Sequence, residues 1–320
     1  MPVLSVVVTV VEGDPALTRC LEALSMQTGA PDMEVIVAYD DAIPEVSELA
    51  TRFPGVRFLD TGAISQGMCR NAFAEHALYE RRRAAGLRAA TGRLVGMLED
   101  RGWPRSNWAT AVIELHDRTA FAAIGGVVEH GGRGALRWAL FFCDFGRYQP
   151  RVREGDAEYL TDVNICYKRE ALEAVRDLWH ESYQESTVNW GLRRRGYGLH
   201  LSQAPVVVEQ RATVRLWHVI QERVHWARSF AHVRGREAGS PLTCVIWATA
   251  TPILPLLLFV RHLQRQLRTR QHIPEFVRAI PATLTLLHSW SLGECIGYCE
   301  AARSLRQPSR PSNSEHARKC

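Results

Sequence analysis

Short apolar runs alternate with helical repeats along the first hundred residues. Leu4–Val11, Glu34–Ala38, Val56–Leu59 and Arg93–Leu98 have the composition and length of buried strands. Helices are predicted between these strands. One is indicated by the spacing of Leu17, Leu21 and Leu24, and a longer one extends from about residue 68 to 90. Strands that alternate with helices are typical of a parallel α/β sheet, in which ligands bind beyond the carboxyl ends of the strands. The later strands Ala122–Val128 and Val206–Glu209, and helices at 171–178 and 188–195, make the middle part mixed.

The pattern changes after residue 213. Trp217–Arg236 is an arginine- and aromatic-rich helical stretch, and Pro241–Val260 then runs twenty residues without a charge. That length is enough for a transmembrane helix, but Pro252 and Pro255 interrupt it. The sequence therefore favours membrane association, either as a transmembrane span or as a re-entrant or interfacial segment. A buried core helix is the remaining alternative. The arginines between 261 and 270 suit an anionic lipid surface, with a solvated helix face as the alternative.

Composition narrows the class of protein. With 320 residues, 46% of them hydrophobic, the chain is suited to one large domain with an appendage or to two small domains, and not to a disordered chain. A net charge of +5 is weak, and the arginine runs at 81–83 and 193–195 lack interleaved aromatics, so we expect no nucleic-acid partner. The eight cysteines have no zinc spacing, and no charged segment precedes the first apolar run. These features predict reduced thiols in the cytoplasm.

Acidic residues follow two of the predicted strands, and the chain lacks the glycine-rich motifs of dinucleotide-binding and P-loop proteins. Asp100 is able to coordinate a divalent cation that bridges a diphosphate, and Arg83 is able to reach a phosphate. Asp40 or Asp41 is able to accept hydrogen bonds from a base or ribose. Taken singly, each is better explained as a helix cap, a turn residue or a surface charge; their order along the chain raises the odds of a site.

That order resembles the family-2 glycosyltransferases of the GT-A fold. LSVVVTVVEGD is similar to the first strand and turn of the family, and VIVAYDD to its second strand. RRRAAGLRAATGRLVGMLED and GWPRSNW resemble the stretch around the family's DxD motif. TDVNICYKREAL is similar to the acceptor-side segment, and QESTVNWGLRRRGYGL to the segment that carries the catalytic base. The stretch ending SWSLGECIGY is similar to membrane-associated C-termini in a bacterial subset of the family.

The resemblance covers about residues 3–235 and implies an α/β fold of the GT-A type. Its single mixed, mostly parallel sheet is flanked by helices, and a helical, membrane-associated region follows. The implied domains are 1–235, with a nucleotide-sugar half (1–105) and an acceptor half (106–215), then a helical region (236–305) and a disordered tail (306–320).

Site roles follow from the resemblance by position. The nucleotide-sugar residues are Thr9, Glu12, Asp40 and Asp41 at the base and ribose, Arg83 at the diphosphate, and Glu99 and Asp100 at the DxD position. The catalytic base is Glu185, the metal ligand for Mg²⁺ or Mn²⁺ is Asp100, and the acceptor-side residues are Asn164, Gln221 and Trp226. Glu209 lies where many relatives have a metal-reaching histidine, so a substitute ligand and a surface charge stay equally open.

The implied activity is inverting, metal-assisted transfer of a sugar from a nucleotide-diphosphate sugar to a saccharide or lipid-linked acceptor hydroxyl. This chemistry belongs to polysaccharide biosynthesis, on the cytoplasmic face of the inner membrane of a bacterium. The chain departs from the family pattern at Glu99-Asp100-Arg101, where an arginine replaces a carboxylate, and at Gln184-Glu185, where a glutamate replaces the usual aspartate. These departures motivate an alternative, a catalytically weakened relative that acts as a membrane-bound nucleotide-binding or scaffold protein.

Overall fold

A computed structural model describes residues 2–65, 72–211 and 214–306. Within these ranges the chain forms one mixed sheet of nine strands, flanked by helices, followed by an apolar helical region. The strands are β1 (Leu4–Thr9), β2 (Met33–Tyr39), β3 (Val56–Asp60), β4 (Leu94–Glu99), β5 (Gly102–Pro104), β6 (Ala123–His130), β7 (Gly155–Asp156), β8 (Asn164–Lys168) and β9 (Leu199–Glu209). The helices are α1 (Ala16–Ser25), α2 (Ala72–Ala89), α3 (Trp108–Arg118), α4 (Ala135–Phe145), α5 (Arg169–Ala174), α6 (Glu185–Arg194), α7 (Leu216–Ala238), α8 (Pro241–Ala250), α9 (Leu254–Thr269) and α10 (Ile273–Arg306).

The strand order in the sheet is β3-β2-β1-β4-β8-β6-β9-β5, and β7 pairs with β9. The first four strands are parallel, as is the β6–β9 pair. β8 runs antiparallel to both β4 and β6, and β5 and β7 run antiparallel to β9. The prediction of a mostly parallel sheet thus holds for β1 to β4, while the second half is mixed. The carboxyl ends of β1, β2, β4, β6 and β9 share one edge with the start of β8.

Helix α2 packs directly on β1, which is buried along its whole length. A Cβ atom on Gly86 of α2 would lie 2.4 Å from Cγ1 of Val7, so only glycine allows the helix this close. The contact fixes the position of the two arginines that precede Gly86 by three and four residues.

The four strands predicted in the first hundred residues are confirmed, each to within two residues. The helix predicted from about residue 68 is confirmed from Ala72 to Ala89, and residues 68–71 lie outside the described ranges. A 3₁₀ helix, Pro44–Thr51, connects β2 and β3. The pattern did not predict β5, β8, α3 or α4.

The chain divides into two compact units. Unit 1 comprises residues 1–215 together with His262–Ala282, and unit 2 comprises Leu216–Arg261 and the residues from Thr283 onward. This division differs from the predicted break after residue 235, because residues 262–282 rejoin the sheet-containing unit; the domain division stays a prediction. Of the predicted disordered tail, only Arg306 is described, as the last residue of α10.

Small residues let the helices of unit 2 approach each other closely. A Cβ atom on Gly297 of α10 would lie 2.2 Å from the carbonyl oxygen of Arg228 on α7. Gly235 of α7 is similarly close to Ala301 of α10, and α8 packs Ala248 into the same core. α7, α8 and α10 therefore form one helical layer within this unit.

One helical segment of the described residues, Pro241–Thr269, is long and apolar enough to cross a membrane. Its most apolar window has a mean hydropathy of 2.0, and 22% of that window is buried. A 3₁₀ turn at Thr251–Ile253 interrupts it. This exposed apolar segment gives weak support for membrane association.

Candidate active site

The carboxyl edge of the sheet contains a point at which the strand order reverses. Successive strands β1, β2 and β3 extend to one side of β1, and β4 lies on its other side. The last residues of the two strands at this reversal, Thr9 and Glu99, are register partners, so their side chains project from the same face. Open α/β sheets bind ligands in the crevice at such a reversal.

Arg83 joins two carboxylates at this crevice. Its Nη2 lies 2.6 Å from Oε1 of Glu99 and 2.9 Å from Oδ2 of Asp162. The side chain is buried, and its Nε has no hydrogen-bond partner among the described residues. Burial lowers the pKa of Arg83, but the carboxylates of Asp162 and Glu99 more than offset this and raise it, so the guanidinium stays charged. Burial raises the pKa of Glu99, against the opposing effect of Arg83.

Glu185 is held beside the same group. It is the first residue of α6, where the helix dipole stabilises a carboxylate. Its Oε2 accepts the backbone N–H of Asp162 at 2.8 Å, and its Oε1 accepts the hydroxyl of Tyr159. Burial raises the pKa of Asp162 well above its usual range, and the neighbouring Glu185 raises it further. We call Arg83, Glu99, Asp162, Glu185 and Tyr159 the Arg83 cluster.

Asp100 has a different role from its neighbour Glu99, because it points away from the Arg83 cluster. Its Oδ2 accepts the backbone N–H groups of Gly13 at 2.7 Å and Glu12 at 3.0 Å, which fixes the turn after β1. Burial raises its pKa to about 7. Arg101 lies beside this turn, with Nε 3.2 Å from Oε1 of Glu12.

The two adjacent acids after β2 are placed differently from each other. Asp40 is buried and forms a two-pronged ion pair with Arg82, with Nε–Oδ2 at 2.7 Å and Nη2–Oδ1 at 2.9 Å. Asp41 is exposed and accepts the backbone N–H and the hydroxyl of Ser65. Of the two, Asp41 is accessible to a ligand, while Asp40 anchors α2 to the sheet.

Thr9 and Asn164 lie beneath the edge. Thr9 is buried, and its hydroxyl has no hydrogen-bond partner among the described residues. The Asn164 side chain accepts from Nε1 of Trp108 at 2.8 Å and donates to two backbone carbonyls. Asn164 thus lies in the core, outside the Arg83 cluster, and its acceptor-side role stays a prediction.

Glu209 ends β9 and is buried beside Arg211, with Oε1 3.8 Å from its Nε. Burial raises the pKa of Glu209 to about 7, against the opposing charge of Arg211. The remaining predicted residues, Gln221 and Trp226, lie on α7 in unit 2, where Gln221 is exposed and the Trp226 ring centroid lies 5.5 Å from the guanidinium carbon of Arg223. Their acceptor-side roles also stay predictions.

The predicted divalent cation was tested against these donors. Asp100 is fully buried and already accepts two backbone N–H groups, and Glu209 lies beside an arginine. Over the described ranges, no group of three histidine, cysteine or acidic side chains has an arrangement that holds a metal ion. As placed, these residues do not fit a Mg²⁺ or Mn²⁺ site, and the metal stays a prediction.

Sequence reasoning missed three members of this region: Asp162, Tyr159 and Arg82. Asp162 stands two residues before the buried strand β8, which the pattern did not predict as a strand. The rule that singled out Asp100 looks for an acid after the carboxyl end of a strand, so it misses Asp162, which precedes a strand that runs antiparallel to β4. Arg82 precedes Arg83 in an arginine run, and only the contact with Asp40 separates their roles.

A scan of the chain against protein-family models finds no match, and a search of curated proteins finds none either.

Proposed function

We propose that this protein is a glycosyltransferase of the GT-A type, related to family 2. The observation that carries the proposal is the Arg83 cluster. Apart from Tyr159, its members come from three stretches that separately resemble family motifs: RRRAAGLRAATGRLVGMLED, TDVNICYKREAL and QESTVNWGLRRRGYGL. These stretches are far apart in sequence, yet Arg83, Asp162 and Glu185 converge at the strand-order reversal. That convergence is what a nucleotide-sugar site at the sheet edge requires.

The proposed reaction is a single inverting displacement. The acceptor hydroxyl oxygen attacks the anomeric carbon on the face opposite the nucleoside diphosphate, a new carbon–oxygen bond forms, and the bond to the diphosphate breaks. Glu185 takes the hydroxyl proton, and the diphosphate leaves with its electron pair. Positioned general bases of this kind contribute about 10²–10⁴-fold to rate. Arg83 supplies positive charge on the side of the leaving diphosphate, where electrostatic stabilisation is strongest.

Substitution of Glu185 by glutamine tests this function. Glu185→Gln keeps the shape of the side chain but removes its proton-accepting charge, so we expect near-normal binding of the donor and transfer slowed by about 10²-fold or more. Thermal shift against a panel of uridine, guanosine and thymidine diphosphate sugars measures binding, and product formation measures transfer.

Glu181→Gln is the matched control, because Glu181 lies four residues earlier, and its side chain is 91% exposed and paired with the adjacent His180. This variant should transfer sugar at the wild-type rate. Wild-type rates in both variants, with a verified donor and acceptor, would remove Glu185 as the base.

A second function is favoured by the contacts of Asp100 and Arg101. In the DxD stretch, Asp100 holds the turn after β1 and Arg101 pairs with Glu12. These contacts are structural and leave no carboxylate of the DxD stretch for catalysis at this turn. They suit a catalytically weakened relative that binds a nucleotide sugar as a membrane-bound binding or scaffold protein. Donor binding without turnover, in every donor and acceptor combination and with or without Mg²⁺ or Mn²⁺, would favour this alternative.

The location that we propose is the cytoplasmic face of a bacterial inner membrane, with a saccharide or lipid-linked acceptor. The exposed apolar residues of Pro241–Thr269 support membrane association. A lipid-linked acceptor would meet the sheet edge only if the enzyme stays at that surface.

A further inference from the structure

Two parts of one compact unit lie on either side of the apolar segment in the chain. Residues 1–215 and His262–Ala282 both belong to unit 1. Within it, the ring centroids of Phe142 and Phe276 lie 5.2 Å apart, and Nε2 of Gln266 donates to Oε1 of Gln149 at 3.2 Å. Gln149 and Gln266 are fully buried there. Residues that pack into one core lie on the same side of any membrane.

Between these two parts, the residues that the structure describes offer no second crossing. Over the described residues, Pro241–Thr269 is the one segment that meets the length and hydropathy of a span, and its last eight residues already belong to unit 1. The other helix in the interval, α7, carries Arg223, Arg228 and Arg234 along its middle and end, which excludes it from a bilayer core. A single crossing by the apolar segment would put residues 262–282 on the opposite side from residues 1–215. The packing of unit 1 contradicts that arrangement.

We propose that Pro241–Arg261 enters one leaflet of an anionic lipid surface and returns to the same side without crossing the bilayer. The inference rests on the membrane association proposed above, and it replaces the span with a monotopic attachment. Helices of this kind lie in the interface with their apolar face towards the acyl chains.

The two faces of the segment fit this attachment. On α8, Cys244 and Ala248 are buried against other helices of unit 2, whereas Leu242 and Ile246 are 67% and 56% exposed. A 3₁₀ turn at Thr251–Ile253, which contains Pro252, then separates α8 from α9. The next helix, α9, exposes Leu256 and Leu257, both more than half accessible. One side of the segment thus packs against protein, and the other side exposes large aliphatic side chains.

Charge selects an anionic surface as the partner. No aspartate or glutamate occurs between Ala238 and Pro274, whereas arginines occupy positions 261, 265, 268 and 270. Arg261 directly follows the apolar stretch and is exposed. Basic residues next to an inserted apolar face add attraction to anionic headgroups that salt screens. A zwitterionic surface offers them no such attraction.

The topology is tested with the full chain carrying one epitope tag at each terminus. We expect protease to digest both tags in inside-out membrane vesicles and neither tag in intact spheroplasts. One tag digested from each side would show a single crossing and would overturn the proposal.

The lipid partner is tested by sedimentation of the purified full chain with vesicles. We expect binding to phosphatidylcholine vesicles that contain one quarter phosphatidylglycerol to exceed binding to pure phosphatidylcholine at least tenfold, and to fall in 0.5 M salt. The double variant Leu256→Glu/Leu257→Glu should lose at least tenfold in binding. Met26→Glu is the control, because Met26 is a 64% exposed apolar residue of unit 1 and should leave binding unchanged. Equal binding to both vesicle types, or a double variant that still sediments as the wild type does, would overturn the proposal.

These readouts are independent of sugar transfer. A chain that binds anionic vesicles from one side but never transfers sugar would contradict the glycosyltransferase and leave the attachment intact. A chain that transfers sugar to a soluble acceptor but crosses the membrane would support the glycosyltransferase and contradict the one-sided attachment.

Discussion

His116 is a buried titratable side chain that lies away from the sheet edge. It is on α3, is 3% exposed, and its Nε2 lies 3.0 Å from the carbonyl oxygen of Cys166 on β8. Burial lowers the pKa of His116 to about 4, because the charged form loses its hydration. The unfolded chain, by contrast, protonates this side chain near pH 6.5. Between these two pH values, protonation of His116 therefore favours the unfolded chain.

We expect His116 to make unit 1 less stable at acid pH. Above pH 6.5 the side chain is neutral in both states and costs nothing; as the pH falls towards 4, only the unfolded state gains the proton, and the free energy of unfolding decreases. From pH 8 to pH 5 the decrease is about 2 kcal/mol. His116→Gln, which can still donate to the Cys166 carbonyl, should flatten this part of the stability profile measured by urea unfolding.

The control for this measurement is His288→Gln, an exposed position of α10. Its stability profile should follow that of the wild type across the whole pH range. A wild-type profile in the His116→Gln variant would mean that His116 binds its proton equally in the folded and unfolded states.

Single residues also mark the limit of prediction from the sequence. The adjacent acids Asp40 and Asp41 look alike in the pattern, and so do Arg82 and Arg83. Successive side chains point in different directions, after a strand for the two acids and along α2 for the two arginines, so that Asp40 and Arg82 pair in the core. Only the three-dimensional register of α2 on the sheet decides which arginine reaches Glu99.

At the scale of elements, the sequence predicts segments that are periodic or uniformly apolar. It does not predict segments such as β8, whose polar residue is tolerated only because of tertiary contacts. β1, β2 and β4 are apolar runs that can be recognised from their own sequence, without knowledge of the strands beside them. β8 contains Asn164, which is tolerated in a buried strand because Trp108 and two backbone carbonyls satisfy its amide. α4 is apolar over most of its surface, so its sequence lacks a clear helical stripe. The cost of the buried polar group, and its compensation, are visible only in the fold.

Helix α2 is the element that delivers arginine to the site, and its close approach to β1 is testable. Alanine normally stabilises a helix relative to glycine by about 1 kcal/mol. In Gly86→Ala, however, the new methyl group would meet Val7 at 2.4 Å inside the core, and the side chain of Val7 is stiff. We expect a net loss of about 1–3 kcal/mol in the free energy of unfolding, and weaker donor binding because Arg83 moves with the helix.

Gly55→Ala serves as the matched control for this packing effect. A Cβ atom at Gly55 meets nothing within 4 Å, so the change should stay within about 0.5 kcal/mol of the wild type. Thermal and urea unfolding, together with a thermal-shift titration of the donor, measure both effects. A Gly86→Ala variant as stable as the wild type would show that α2 can move away from β1 without cost.

At the scale of the whole molecule, sequence order and spatial units do not coincide. The predicted break after residue 235 follows the extent of the family resemblance, whereas the first part of unit 1 ends at Arg215 and residues 262–282 return to it. Composition cannot reveal this return, because a helix that packs on a distant part of the chain has the same amphipathic pattern as one that packs nearby. The contacts that fix it, such as Phe276 on Phe142 and Gln266 on Gln149, lie more than a hundred residues apart in sequence.

The returning segment should therefore be part of what makes unit 1 stable. A chain of residues 1–215 alone would expose Phe142 and leave the buried amide of Gln149 without the partners that Gln266 and Thr269 provide. The matched comparison is a chain in which a long Gly/Ser linker joins residues 1–215 to 262–282. Burial of the Phe276 side chain alone is worth about 2–3 kcal/mol, and satisfaction of Gln149 adds about 1 kcal/mol.

We expect the 1–215 chain to unfold about 6–16 °C below the linked chain, since each 1 kcal/mol corresponds to about 2–4 °C for a unit of this size. Scanning calorimetry measures the difference, and limited proteolysis should cut the shorter chain first around α4, which loses its covering helix. Equal unfolding temperatures would show that residues 262–282 sit on unit 1 without stabilising it. In that case the two parts of unit 1 would be free to separate, and a single membrane crossing would again be compatible with the fold.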